Sequence, residues 1–119
     1  MMRKQGKGAI VNISSGTALL YLPTMSAYSS SKRALVGFSL TAREELKHDH
    51  ISVGVVYPYI TLTDFERNTL KDGARKEWRK ESGANFKLAD ADTPEFVAEK
   101  ILEAIETEAA EVFVHEWMN

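Results

Sequence analysis

From Ala9 to Ser14 the chain reads AIVNIS, apolar at nearly every position and rich in β-branched residues. That is the pattern of a short strand buried on both faces, and it predicts a central strand of a parallel sheet. A second such run, ISVGVVYP, extends from Ile51 to Pro58; it stops at a proline, which has no amide hydrogen to donate to a neighbouring strand. Between the two runs, Tyr28, Leu35, Phe38, Ala42 and Leu46 recur at separations of seven, three, four and four. The spacing predicts a long helix from about Ala27 to His48 with these residues on its apolar face. Strand, long helix and strand predict a βαβ unit, because parallel strands must be joined by a crossover.

The remaining segments are less regular. Residues 16–25 carry Gly16 and Pro23 and read as a loop with an apolar surface, offered by Leu19, Leu20 and Tyr21. From Thr61 to Leu88 the chain is charged and irregular, although Leu70, Ala74 and Trp78 share one helical face. This stretch is expected to form a lid segment, with Phe65 adding to the apolar lining and with Leu70 and Trp78 either packing the lid onto the core or closing over substrate. Thr93 followed by Pro94 makes an N-cap and first helical position, and Val97, Ile101, Ala104 and Ile105 supply an apolar stripe for a last helix. The closing EVFVHEWM, Glu111 to Met118, alternates apolar and polar residues as a third strand does. The whole predicts one α/β domain.

Composition narrows the class. A chain of 119 residues with 44% apolar and 27% charged residues has room for a single globular core. A formal charge of −2 with both signs interspersed gives no broad field for capturing nucleic acid. No apolar run approaches the roughly 20 residues of a membrane span, and the opening MMRKQGKG lacks the apolar stretch of a signal peptide, so a cytoplasmic protein is expected. The absence of cysteine removes disulfides, cysteine-ligated zinc and thiol catalysis. His48, Asp49 and His50 fall at a helix exit, where cationic side chains suit the negative end of the dipole, and no metal site is expected there. The expected partner is a small molecule or another protein.

Chemistry concentrates after the first strand. Ligands of open α/β sheets bind beyond the carboxyl ends of the strands, and Ser14 and Ser15 emerge from such an end. Tyr28 and Lys32, four residues apart on a helix, bring their Cβ atoms to within about 5–6 Å on one face. A free phenol ionises near pH 10, too high for an efficient proton shuttle at neutral pH. An ammonium group about 5 Å away, at an effective dielectric near 20, favours the phenolate by roughly 3 kcal/mol. A serine hydroxyl facing the same point can stabilise a carbonyl oxygen as it gains charge. Together these groups suit hydride transfer at a carbonyl or alcohol carbon. Two other patterns carry less: Ser29 and Lys32 match Ser-x-x-Lys without the companion motifs of acyl-enzymes, and Asn12-Ile-Ser14 is a glycosylation sequon set in a buried strand.

With Ser15 thirteen positions ahead of Tyr28, and with SAYSSSKRALVGFS carrying Tyr-x-x-x-Lys, the chain resembles the short-chain dehydrogenase/reductase family. The resemblance implies a Rossmann-like, doubly wound parallel sheet and an NAD(P)-dependent oxidoreductase, with NAD and NADP not distinguished. It implies Tyr28 as general acid or base. Lys32 lowers the pKa of that phenol and binds the nicotinamide ribose, while Ser15 polarises a carbonyl or alcohol substrate. It also implies that Pro58, Ile60 and Thr63 line the nicotinamide end, with Tyr59 standing where the family has a glycine. The family's glycine-rich pyrophosphate turn is missing: Gly6 and Gly8 precede a strand instead of following one. The chain is therefore expected to be the C-terminal half of such a domain over residues 1–119, incomplete on its dinucleotide-binding side and inactive alone. Homo-oligomerisation through the long helix is implied for the full-length enzyme. A non-catalytic remnant serving as an interaction module is the alternative.

Overall fold

A computed structural model of the chain describes residues 1–64 and 91–119. Most of the expected lid, including Phe65, Leu70, Ala74 and Trp78, lies outside the described residues. A short helix α1 (Met2–Gln5) leads into β1 (Gly8–Ile13), and helix α2 (Ser26–Leu46) follows after a 3₁₀ turn at Gly16–Ala18. β2 (Ile51–Tyr57), helix α3 (Pro94–Thr107) and β3 (Glu111–Phe113) complete the regular elements, with a last 3₁₀ turn at Glu116–Met118. All three strands are parallel in the order β1-β2-β3, with Gly8 to Ile13 opposite Ile51 to Val56 and Val55 to Tyr57 opposite Glu111 to Phe113. This is the α/β sheet the apolar runs predict.

The central strand explains how both faces are covered. Successive side chains of β2 point to opposite sides of the sheet. On one side Val55 and Tyr57 form a buried cluster with Ala18 and Met118, against which Val36 of α2 packs. On the other, Val56 meets Ala104 of α3, Val112 and Val114, with Ile101 and Phe96 around them. Helices on both faces make the sheet doubly wound, so β2 is buried along nearly its whole length, with half-buried Ser52 donating its hydroxyl to the Gly8 carbonyl. Tyr57 resolves its one polar atom by donating its hydroxyl to Glu111 while its ring stacks on Phe113 at 4.7 Å. Burial, followed by the hydrogen bond and charge of Glu111, raises the Tyr57 phenol above its ordinary pKa, which keeps the donating proton in place.

Three expectations are corrected. The buried face of α2 is turned somewhat from the one that periodicity indicates: Tyr28, Leu35, Ala42 and Leu46 are half-buried, but Phe38 is 68% exposed, whereas Ser39 is fully buried and bonds the Leu35 carbonyl. The sheet-facing stripe runs through Tyr28, Lys32, Val36, Ser39 and Arg43, and it accepts polar residues because strand groups satisfy them. On α3, Val97 and Ala104 are buried but Ile105 is 41% exposed. Finally, β3 ends at Phe113 instead of running to Met118. His115 leaves the ladder to pair with Asp92, and Met118 folds back into the core over Gly16.

Candidate active site

Beyond Ile13 the chain stays tied to β2: the Ser14 amide donates to the Val56 carbonyl at 2.8 Å and the Gly16 amide to the Pro58 carbonyl at 2.8 Å. These two bonds carry the parallel pairing past the end of the sheet and fix the direction in which residues 14–16 leave it. Ser15 then takes an extended conformation and caps the 3₁₀ turn. Its Oγ accepts from the Thr17 amide at 3.2 Å and from the Thr17 hydroxyl at 3.0 Å. Both acceptor positions are thereby used, and the Ser15 proton, with no acceptor among the described residues, is left to donate, as a group that polarises a carbonyl requires. Thr17 was not legible as a site residue, because Ser/Thr turns of this kind are frequent in any loop.

Helix α2 starts at Ser26, so Tyr28 and Lys32 occupy its first two turns, at the same end of the sheet as Ser15. The Lys32 ammonium lies 5.8 Å from the centre of the Tyr28 ring and donates to the Ile13 carbonyl at 3.0 Å. The main-chain carbonyl of Lys32 accepts from the buried Ser14 hydroxyl at 3.1 Å. Lys32 is thus placed beside Tyr28 and against Ile13 and Ser14, the two residues directly before Ser15 in the chain. This geometry also disposes of the Ser-x-x-Lys pattern: the Ser29 Oγ is buried with no partner among the described residues, and the Lys32 ammonium is bonded to Ile13. A nucleophile–base pair needs those two groups in mutual reach. Asn12, the sequon residue, turns into the helix interface and donates to Ser39 at 2.8 Å.

After β2, Pro58, Tyr59 and Ile60 are half-buried, and Thr63 is exposed. The segment is held by an isolated parallel bridge between Thr61 and Asp92. In that bridge the Asp92 amide donates to the Ile60 carbonyl at 2.7 Å and the Leu62 amide to the Asp92 carbonyl at 2.9 Å. The Asp92 carboxylate, 7% exposed, meets His115 at 3.0 Å. The ring of His115 stacks on Trp117, and both stand edge-on to Tyr59, at 6.0 and 5.1 Å between centroids. Tyr59, in the glycine position, thus turns its ring among the C-terminal aromatic residues and toward Gly16, where a Cβ would lie 3.7 Å from Tyr59 Cδ2. Asp92, His115 and Trp117 escaped the sequence reading because their partners lie more than twenty residues away or across an irregular segment.

A family model described as short chain dehydrogenase matches residues 1–74. The chain belongs to this family. Among its relatives, the short-chain protein called inactive 2-(S)-hydroxypropyl-CoM dehydrogenase 2 of Xanthobacter autotrophicus is 33% identical, over 92% of this chain and 48% of its own length. The 3-oxoacyl-acyl-carrier-protein reductase of Chlamydia muridarum is 34% identical, over 82% of this chain and 37% of its own. The chain thus spans half or less of the length of these short-chain relatives. The solved bulky-bulky ketone specific alcohol dehydrogenase of Comamonas testosteroni superposes on 95% of this chain with a TM-score of 0.67 at 20% identity, a likeness of fold. No helix among the described residues is long and apolar enough to cross a membrane.

Proposed function

We propose that this chain carries the substrate and nicotinamide end of an NAD(P)-dependent carbonyl reductase or alcohol dehydrogenase. The observation that carries the proposal is the position of the Lys32 ammonium, 3.0 Å from the Ile13 carbonyl and 5.8 Å from the Tyr28 ring, at the strand end where Ser15 keeps a free donor. In this reading Tyr28 gives a proton to a carbonyl oxygen, or takes one from an alcohol, and the nearby ammonium stabilises the phenolate left behind. Ser15 donates its remaining proton to the same oxygen and stabilises the charge that develops there.

The nicotinamide, when bound, supplies or accepts the hydride. Residues that would hold its end are Lys32, through ammonium protons not used on Ile13, and the rim formed by Pro58, Ile60 and the exposed Thr63 hydroxyl. The pyrophosphate end has no counterpart among these residues, since Gly6 stands before β1 and Gly8 is its first residue, and neither lies between a strand and a helix. The apolar side chains of Leu19, Leu20 and Tyr21, all exposed, favour a hydrophobic carbonyl or alcohol.

Tyr28→Phe in the intact protein tests the reading, with both reduced cofactors and a panel of ketones. Turnover is expected to fall by at least about a hundredfold while the fold is kept, because the change removes a proton donor and retains the ring. Turnover within a few fold of the parent overturns the assignment. A second reading, a non-catalytic interaction module, is favoured by one observation: the relative that aligns over 92% of this chain is called inactive. Absence of turnover in the unaltered protein with either cofactor, together with stable self-association, is what that reading expects.

A further inference from the structure

Ser14 has no role in the reaction described above, and its burial is conspicuous for a serine beside a catalytic site. Only 3% of it is exposed. Its Oγ donates to the Lys32 carbonyl at 3.1 Å, while the Lys32 ammonium donates to the carbonyl of the preceding residue, Ile13, at 3.0 Å. The last residue of the strand and the one after it therefore grip the two ends of one lysine, its charge and its main chain. Two positions earlier, Asn12 faces the same helix and donates to Ser39 at 2.8 Å, and Ser39 in turn bonds the Leu35 carbonyl at 2.6 Å. The strand end is thus joined to α2 by three polar contacts, of which those of Ser14 and Ile13 fall on Lys32, a residue of the proposed machinery, and that of Asn12 does not.

We infer that Ser14 is a positioning residue: it sets the height of Lys32 along α2 against the end of β1, and so the placing of the ammonium beside Tyr28. This rests on the catalytic reading above. A free lysine side chain spreads over many rotamers, and its charge is useful to a phenol only while it stays within a few ångströms. Anchoring both its ends to residues 13 and 14 also references it to Ser15, the next residue in the chain. In Ser14→Ala the Lys32 carbonyl loses this donor, and the first turns of α2 are free to shift along the strand. Displacements of about 1 Å near a reacting centre cost up to a hundredfold in rate.

The test compares Ser14→Ala, Ser39→Ala and Tyr28→Phe with the unaltered intact protein. Two quantities are read: kcat and KM with a ketone substrate, and the rate at which limiting acetic anhydride acetylates Lys32, followed by mass spectrometry. For Ser14→Ala the expected result is a fall in kcat of about tenfold with KM nearly unchanged, together with severalfold faster acetylation of Lys32. Ser39→Ala is expected to lower stability while leaving both quantities near the parent. Unchanged acetylation of Lys32 in Ser14→Ala overturns the inference, as does an equal change in both quantities in Ser39→Ala, which would mean general loosening. If Tyr28→Phe abolishes turnover and Ser14→Ala keeps it, the positioning role alone fails. If Tyr28→Phe keeps turnover, the catalytic reading fails and takes the positioning role with it.

Discussion

The two ends of the sheet are built differently. At the amino end, Arg43 in the last turn of α2 donates to the Val53 carbonyl at 2.8 Å and to the Glu108 carbonyl at 2.7 Å, joining α2, β2 and the exit of α3 through one guanidinium. Nearby, Gly54 lies so close to the chain after α3 that an added Cβ would sit 2.6 Å from the Ala109 carbonyl oxygen. These contacts press main chain against main chain and use a rigid, permanently charged fork. At the carboxyl end the contacts are made by hydroxyls, an ammonium and aromatic rings, several of which keep bonding capacity unspent. On the proposed reading one end carries stability and the other chemistry, and substitutions should separate the two.

The sharpest separation is expected from Lys32→Met. Turnover should fall by about a hundredfold or more, with weaker cofactor binding and little change in melting temperature. Lys32→Arg should not restore it, because a planar fork does not replace a compact charge. Steady-state rates and calorimetric titration with the reduced cofactors check this, and cofactor affinity equal to that of the parent would remove the ribose-binding role.

Arg43→Met at the opposite end should cost about 2–3 kcal/mol of stability, the size expected for charge-assisted bonds to two carbonyls. Urea unfolding should show a lower midpoint with an unchanged slope. Gly54→Ala comes next, at about 2 kcal/mol, because the intruding methyl meets backbone that cannot move aside. The smallest effect is expected at Gly16→Ala, below about 0.5 kcal/mol, although its Cβ would also be crowded, 2.8 Å from Met118 Cε. There the neighbour is the tip of a flexible side chain. Equal losses at the two glycines, measured by the same urea titrations, would erase the distinction drawn between the ends.

Much of this was written locally in the chain. β-branched runs located β1 and β2 to within a residue, and Thr93 caps α3 as its position suggests, accepting from the Phe96 amide. Tyr28 and Lys32 were legible because a helix converts their spacing of four into proximity without help from the rest of the fold. Phe38 was misread because periodicity identifies a stripe without saying which stripe the sheet covers; here buried hydroxyl and guanidinium groups are held by strand atoms and the phenylalanine is left outside. The early end of β3 and the pairing of Asp92 with His115 depend on contacts across 23 residues of sequence, and no local pattern announces them. Ser14 stands out in the sequence only by its place at a strand end, because its partner is a carbonyl 18 residues away.

The bridge between Thr61 and Asp92 has a consequence for how such a chain can change. It fastens the rim at Pro58 to Thr63 on one side and the start of α3 on the other, through two main-chain bonds that do not depend on which side chains lie between. Because the bridge is made by the amides of Leu62 and Asp92, exchange of their side chains leaves it in place so long as neither residue becomes proline, which has no amide hydrogen to donate. The mutual register of the rim and the start of α3 is therefore a property of the main chain, inherited through changes of side chain.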